Sequence, residues 1–169
     1  MKRLLLVFSI CILFVSCNNK TNVSSIDPIN WNKRAIPLPK TDSLINGKTY
    51  LSVYSEIYGL TEHRTQNLTA TVSIRNINPK DTLYINKAQY FNTNGEPTRT
   101  YFSNTVFVKP LETIEIIIDE RDKEGGTGAN FIFDWSKTRE DIHDPFFEAV
   151  MISTSSQQGI SFTTQGIKI

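Results

Sequence analysis

The stretch that decides the fold is Leu68-Thr69-Ala70-Thr71-Val72-Ser73-Ile74-Arg75. Apolar and polar side chains alternate along it at every second position. A period of two is typical of a β-strand with one face in a core and the other in water, whereas an amphipathic helix needs apolar residues three and four positions apart. The stretch therefore predicts a half-buried strand.

The same alternation recurs along the chain. Ile114, Ile116 and Ile118 share one face of a second strand, and Phe131, Phe133 and Trp135 share one face of a third. Five more strands are predicted at residues 49–58, 82–92, 99–108, 146–154 and 160–164. Turn signals separate these segments at Asn76-Ile77-Asn78-Pro79, Asn94-Gly95, Lys109-Pro110 and Gly125-Gly126.

No convincing helix interrupts this series, and only residues 135–143 could wind a turn or two. Short strands at fairly even spacing, without alternating helices, favour an all-β fold. We expect an antiparallel β-sandwich of seven or eight strands, with immunoglobulin-like or fibronectin-like architecture. A small barrel is the alternative.

Aromatic side chains are predicted to supply much of the core. Phe131, Phe133 and Trp135 are expected to pack against Val72, Ile74 and Ile116 across the sandwich, whereas Trp31 is expected on the surface. The only cysteines, Cys11 and Cys17, precede the predicted strands, so packing rather than an internal disulfide has to stabilise the domain.

The N-terminus reads as an export signal. Lys2 and Arg3 precede an apolar run at residues 4–15, which is too short to span a bilayer. The following Phe14-Val15-Ser16-Cys17 resembles the bacterial lipobox. That resemblance implies removal of a signal peptide at residues 1–16 and lipidation of Cys17. An ordinary secretory peptide with an incidental cysteine is the alternative.

This reading divides the chain into three parts. After the signal peptide, residues 17–47 are polar and proline-containing, which predicts a lipidated N-terminus followed by a flexible tether. Residues 48–169 are the predicted sandwich domain. Lipid chains would hold the protein on a bacterial membrane, on the periplasmic or outer-membrane side of the cell envelope.

Composition narrows the kinds of partner and chemistry. The chain balances 18 basic against 17 acidic side chains, so it lacks the basic excess that nucleic-acid binding requires. The only histidines, His63 and His143, have no second histidine at metal-ligand spacing, and no Gly-x-Ser-x-Gly motif is present. We therefore expect no catalytic residues, no metal site and no cofactor.

Two segments suggest a binding surface. One is the uncharged polar run at residues 153–158, and the other is the glycine-containing loop at residues 119–128. Glycine lets the backbone approach a ligand closely, and hydroxyl and amide side chains can bind a peptide or a sugar by hydrogen bonds. The predicted patch comprises Gly126, Gly128, Asn130, Ser155, Gln157 and Gln158. The alternatives are a simple hairpin turn at residues 157–159 and a flexible hairpin loop at residues 119–128.

Glu148 is a charged residue between Phe147 and Ala149 in an apolar strand pattern. If its face is internal, it needs a cationic partner, because an unpaired buried charge is costly. Arg75 and Arg64 are the candidates. A structural ion pair or a solvent-facing carboxylate is expected, with a catalytic acid as the alternative.

Three segments also carry a family resemblance. They are Leu68-Thr69-Ala70-Thr71-Val72-Ser73-Ile74-Arg75-Asn76, Gly125-Gly126-Thr127-Gly128-Ala129-Asn130-Phe131 and the run at residues 148–162. Together they resemble the bacterial domain-of-unknown-function family 3124, over residues 48–167. The resemblance implies a small exported protein, often a lipoprotein, and implies no activity.

The expected function follows from the predicted export and lipidation signal and from the missing catalytic motifs. We expect a membrane-anchored envelope lipoprotein, not an enzyme, whose sandwich binds an envelope protein or acts as an accessory module. A module that binds a small ligand, glycan or peptide is the alternative, and a hydrolase is the third possibility.

Overall fold

The computed structural model describes residues 29–41, 44–154 and 159–169. One short helix, α1 (Trp31–Arg34), precedes the strands. The strands are β1 (Ile45–Ser52), β2 (Glu56–Tyr58), β3 (Thr65–Asn67), β4 (Thr69–Arg75), β5 (Leu83–Phe91), β6 (Pro97–Phe102), β7 (Val106–Val108), β8 (Thr113–Ile118), β9 (Asn130–Lys137), β10 (Phe146–Ser153), β11 (Ile160–Gln165) and β12 (Ile167–Lys168). A single 3₁₀ turn, Gly126–Gly128, lies just before β9.

The strands form two antiparallel sheets that pack together. The first sheet has the order β12–β1–β9–β5–β6, with β7 pairing the other half of the β5 edge, and the second has the order β11–β10–β4–β8. Strands β2 and β3 form a separate two-stranded ribbon. The predicted all-β antiparallel sandwich is confirmed.

The described chain contains twelve strands, of which eight have six or more residues. These eight correspond to the eight predicted segments. The other four strands are short. Residues 49–58 and 99–108 each divide into two strands, which adds β2 and β7, and β3 and β12 lie outside the predicted segments.

Connectivity resembles the immunoglobulin pattern in its centre. Strands β4 and β8 pair in one sheet while β5 and β9 pair in the other, as strands B and E and strands C and F do in immunoglobulin domains. The flanking strands differ, because β1 pairs with β9 and β10 pairs with β4.

The predicted aromatic face forms the centre of the core. Phe131, Phe133 and Trp135 are fully buried. Phe133 of the first sheet stacks on Phe147 of the second, with ring centroids 4.4 Å apart. The predicted partners Val72, Ile74 and Ile116 are buried in the same core.

Trp31 corrects the prediction of a surface tryptophan in a tether. Its side chain is only 7% exposed, and its ring lies 4.6 Å from that of Phe102. Arg34 forms a two-bond ion pair with Glu112, at 2.6 and 3.0 Å, and the Ile36 N–H donates to the Thr105 carbonyl.

The folded unit therefore begins before the predicted boundary at residue 48. Residues 29–36 pack on the sandwich, and β1 already starts at Ile45. An isolated tryptophan among polar residues has no periodicity that would reveal its burial. The predicted signal peptide, Cys17 and residues 18–28 of the tether lie outside the described residues.

Candidate functional site

The glycine loop at residues 119–128 joins β8 of the second sheet to β9 of the first. It is therefore a crossing between sheets, and the alternative of a hairpin loop is wrong. The Gly125 carbonyl accepts hydrogen bonds from the N–H and hydroxyl of Thr93, and the Gly126 carbonyl accepts from the N–H and hydroxyl of Ser55. The backbone carbonyls of the loop are thus bonded to residues elsewhere in the fold, and these bonds fix its position.

The glycines in this loop have packing reasons. A Cβ on Gly125 would lie 1.8 Å from the Tyr90 hydroxyl oxygen. Gly126 has φ of +74°, a left-handed conformation that favours glycine. The Gly128 N–H donates to the Thr93 hydroxyl at 2.9 Å, so it is already used. These contacts show that packing and hydrogen bonding within the fold account for the glycines.

The Arg99 cluster (Arg99, Tyr101, Asp122 and Glu124) fastens the same loop to β6. Arg99 donates to Asp122 at 2.9 Å, to Glu124 at 2.7 Å and to the Tyr101 hydroxyl at 3.0 Å. The Asp122 side chain is only 3% exposed. Burial raises the pKa of Tyr101, although Arg99 acts in the opposite direction, so the phenol stays neutral and accepts the hydrogen bond. The cluster combines a buried ion pair, Arg99–Asp122, with the more exposed Glu124, and it fixes the loop to β6.

The predicted binding patch is only partly described. Gly126, Gly128 and Asn130 lie at one end of the sandwich, here called the glycine end, and Asn130 pairs with Ser52 and Phe91. Ser153 and Ile160, which pair with each other, reach the same end of the second sheet. Ser155, Gln157 and Gln158 lie between them but outside the described residues. The combined patch stays a prediction.

Glu148 lies on the outward face of β10, because Phe147 and Ala149 point into the core. Its carboxylate is 3.4 Å from the guanidinium of Arg75, which is the first of the two predicted partners. Each side chain is partly exposed. This geometry is that of a structural surface ion pair.

A second charged cluster lies at the opposite end of the sandwich. The buried Lys137 donates to the Ile142 carbonyl at 2.7 Å and pairs with Asp144 at 2.8 Å. Lys168 pairs with the same carboxylate at 2.8 Å. Burial opposes ionisation of Asp144, but its hydrogen bonds to Lys137 and Lys168 outweigh this, and its pKa is lowered. Lys137 therefore helps to organise the loop that contains His143.

A groove lies on the outer face of the first sheet, and the sequence did not predict it. It is shallow, has a volume of about 450 Å³, and is lined by Asn46, Gly47, Lys48, Asn86, Asp134, Trp135 and Ile169. Three adjacent strands, β1, β9 and β5, contribute to its floor. Side chains on paired strands are held more rigidly than side chains on loops.

A directional hydrogen-bond chain runs across these strands. The Thr105 hydroxyl donates to Asn86 Oδ1 at 3.0 Å, Asn86 Nδ2 donates to Ser136 Oγ at 2.6 Å, and Ser136 Oγ donates to Asn46 Oδ1 at 2.7 Å. Ser136 has one proton, so it can donate to Asn46 while it accepts from Asn86. The chain ends at Asn46 and leaves the amide NH₂ of Asn46 without a protein partner among the described residues.

A β-bulge in β5 aims Asn86 at this chain. The pairing of β5 with β9 shifts by one residue between Ile85 and Lys87. Asn86 and Lys87 are consequently both half-buried on the outer face, between the fully buried Ile85 and Ala88. Bulges re-aim side chains in this way beside binding sites. The two successive polar residues that interrupt the alternation at 86–87 are the sequence signal that was missed.

Charge in the groove is locally balanced. Lys48 Nζ lies 2.7 Å from Asp134 Oδ1, and these are the two charged residues among those that line the groove. Lys87 lies beside the lining and keeps its positive charge, because its partner at 2.6 Å is the neutral amide of Gln89. The second oxygen of Asp134 remains a hydrogen-bond acceptor. The groove thus presents amide donors, one carboxylate acceptor and no strong net charge, an arrangement suited to binding a polar ligand.

Residues 29–41, 44–154 and 159–169 contain no group of three histidine, cysteine, aspartate or glutamate side chains that could hold a metal ion. They also contain no helix with the length and hydropathy needed to cross a membrane.

Comparison with known proteins assigns a family. The sequence model of a family described as a protein of unknown function, DUF3124, matches residues 46–169. The chain belongs to the DUF3124 family. The DUF3124 match contains the sandwich from the second residue of β1 onward and every residue that lines the groove. No curated protein and no solved structure matches the chain.

Proposed function

We propose that this DUF3124 protein is a membrane-anchored binding module of the bacterial cell envelope that acts without catalysing a reaction. The groove on the outer face of the first sheet carries the binding part of this proposal. Its polar groups are ordered by hydrogen bonds within the protein, so they are positioned before a ligand arrives. The buried ionisable groups lie elsewhere, where they hold loops.

Anchoring rests on the N-terminal sequence. The charged residues, the short apolar run and Cys17 in a lipobox-like context support export followed by lipidation of the cysteine. More than one acyl chain gives firm membrane attachment, whereas a single chain holds marginally. The sandwich would then work close to an envelope membrane on the periplasmic or outer-membrane side.

A protein partner is the second candidate for what this module binds. The ribbon formed by β2 and β3 carries two exposed apolar side chains near its turn, Tyr58 at 59% and Leu60 at 89% exposure. Exposed apolar side chains grouped at one position are a feature of contact surfaces. Of the two sites, the groove is the better formed, so we favour a polar ligand.

Membrane fractionation with metabolic labelling tests the anchor. Cells grown with radiolabelled palmitate should yield a labelled wild-type protein in the membrane fraction. The Cys17→Ala variant should be unlabelled and should accumulate as an uncleaved precursor or in the soluble exported fraction. Label on the variant, or a wild-type protein free of label and membrane, would contradict the anchored module.

Photo-crosslinking in cells tests the protein partner. A photoreactive residue in place of Leu60 should give a protein adduct if the ribbon contacts a partner, and a photoreactive residue in place of Glu120 serves as the control on another loop. Equal adducts at the two positions, or none at either, would eliminate the ribbon as a contact surface.

A further inference from the structure

We propose that the groove on the outer face of the first sheet binds a neutral saccharide, with Asn46 as the principal donor and Asp134 as the principal acceptor. This inference rests on the proposed function as a binding module and names the chemical class of its ligand. It is carried by the groove, by the direction of the hydrogen-bond chain and by the charge balance beside it.

The donor follows from the direction of the chain. Asn46 uses its Oδ1 to accept from Ser136, so its two amide N–H groups face away from Ser136. Asn46 is exposed and belongs to the groove lining. The amide is also held in this orientation, because Ser136 is fully buried and bonded on its other side to Asn86. A ligand oxygen that accepts is the complementary group.

The acceptor and the neutral charge follow from the Lys48–Asp134 pair. Asp134 Oδ1 faces Lys48, and the other carboxylate oxygen can accept a hydrogen bond from a ligand. Because the ammonium and the carboxylate neutralise each other, a charged ligand would have no uncompensated counter-charge in the groove. A hydroxyl group can both accept from Asn46 and donate to Asp134 without carrying charge.

The position of the groove favours a saccharide over an extended peptide. Peptides that bind sheets add to a free strand edge through backbone hydrogen bonds. Here β9 lies between β1 and β5 with both edges paired, and the Lys48 carbonyl accepts from the Ile169 N–H. A ligand on this face must therefore be recognised by side chains. The neighbouring hydroxyls of a sugar ring can accept from Asn46 and donate to Asp134. A volume of about 450 Å³ fits one or two sugar rings.

Titration of the full chain with defined sugars tests the inference. The protein is purified in a detergent without a sugar head group, and binding is measured by calorimetry with cellobiose, maltose, N,N′-diacetylchitobiose and glucuronate. At least one neutral disaccharide should bind, and glucuronate should bind more weakly. A wild-type protein that binds none of the neutral sugars, or that prefers glucuronate, would overturn the inference.

Asn46→Asp separates binding from folding. An aspartate retains the acceptor for Ser136, but it replaces the amide donors with a carboxylate oxygen. Sugar affinity should fall at least about tenfold, the effect of losing one well-placed hydrogen bond, while the thermal midpoint stays close to that of the wild type. Asn94→Ala, at an exposed turn distant from the groove, is the control and should leave affinity unchanged.

A second variant covers the case in which Asn46→Asp fails to fold. Asp134→Asn replaces half of the carboxylate with a donor, and it should weaken sugar binding without abolishing the sheet. Unchanged affinity in a folded Asn46→Asp or Asp134→Asn variant would overturn the assignment to this groove. Fractionation of the wild type is independent of these results, so failure of the sugar site and failure of the anchored module are distinguishable.

Discussion

Gly125 occupies a position that a larger residue fits only if its neighbours move. A Cβ there would lie 1.8 Å from the Tyr90 hydroxyl oxygen and 2.7 Å from the Ala129 Cβ. The Tyr90 hydroxyl is buried without a hydrogen bond of ordinary geometry among the described residues, and burial raises the pKa of Tyr90 well above its ordinary value. The glycine therefore preserves space for a neutral phenol.

Gly125→Ala should lower the free energy of unfolding by about 1–3 kcal/mol, because overpacking forces neighbouring atoms to shift. Adding Tyr90→Phe removes the atom closest to the new methyl group, so the double variant should recover part of this loss. Denaturant titration measures both effects. Gly59→Ala is the matched control, since its nearest contact would be an ordinary 3.4 Å. Equal losses at Gly59 and Gly125 would refute the steric explanation.

Phe133→Ala should lower the free energy of unfolding by about 3–5 kcal/mol, the usual range for removing a fully buried phenylalanine. The ring is stacked between Phe131, with centroids 5.2 Å apart, and Phe147 of the facing sheet. Phe91→Ala, on the outer face of β5, should cost less. A loss below about 1 kcal/mol at Phe133 in denaturant titration would contradict its central position.

Helix α1 shows how a four-residue element is held by contacts rather than by its own propensity. Helices this short are unstable alone in water. The Trp31 ring packs on Phe102, and the Arg34–Glu112 ion pair joins the helix to the turn that precedes β8. Hydrogen bonds from Arg34 lower the pKa of Glu112 and so favour its charged form.

Glu112→Gln should loosen α1 and expose Trp31. The chain has only two tryptophans, and Trp135 is fully buried and bonded to Thr49, so added fluorescence quenching by acrylamide reports on Trp31. Quenching should increase relative to the wild type, with little change in the unfolding midpoint. Glu120→Gln should leave quenching unchanged. If Glu112→Gln matched that control, the ion pair would have no part in docking the helix.

At the scale of the whole molecule, charged clusters at both ends join elements that are distant in sequence. The Arg99 cluster connects β6 to the crossing between β8 and β9. At the other end, Asp144 connects Lys137 of β9 to Lys168 of β12. The described residues contain no cysteine, so these ion pairs and the core stabilise the fold without a disulfide.

Asp144→Asn should lower the free energy of unfolding at neutral pH and should make that free energy depend less on pH in the acid range. The pKa of Asp144 is lowered on folding, so its ion pairs stabilise the protein above the ordinary aspartate value of about 3.8. That stabilisation disappears as the pH falls through the lowered pKa. The difference in unfolding free energy between wild type and variant should therefore shrink below about pH 4.

Denaturant titrations from pH 7 to pH 2 measure this difference. Asp141→Asn is the matched control, because Asp141 is 73% exposed and pairs with Arg139 at the surface. A difference between the wild type and Asp144→Asn that stayed constant over this range would show that the carboxylate charge is not what stabilises this end.

The sequence alone determined the strands and their facing, because a period of two is a local property that both burial and backbone geometry enforce. Phe131, Phe133 and Trp135 are buried as that alternation predicts. The Glu148–Arg75 pair was one of two pairings that the sequence left open, and the structure shows it on the outer face of the second sheet.

The tertiary structure alone decided the rest, because it brings together residues whose relation leaves no local pattern. Asn46 and Ser136 are 90 positions apart and meet only because β1 and β9 pair. Trp31 is buried only because the edge of the first sheet offers Phe102. Pairing between distant strands is set by global packing, so the groove exists in the folded sheet and in no single stretch of the sequence.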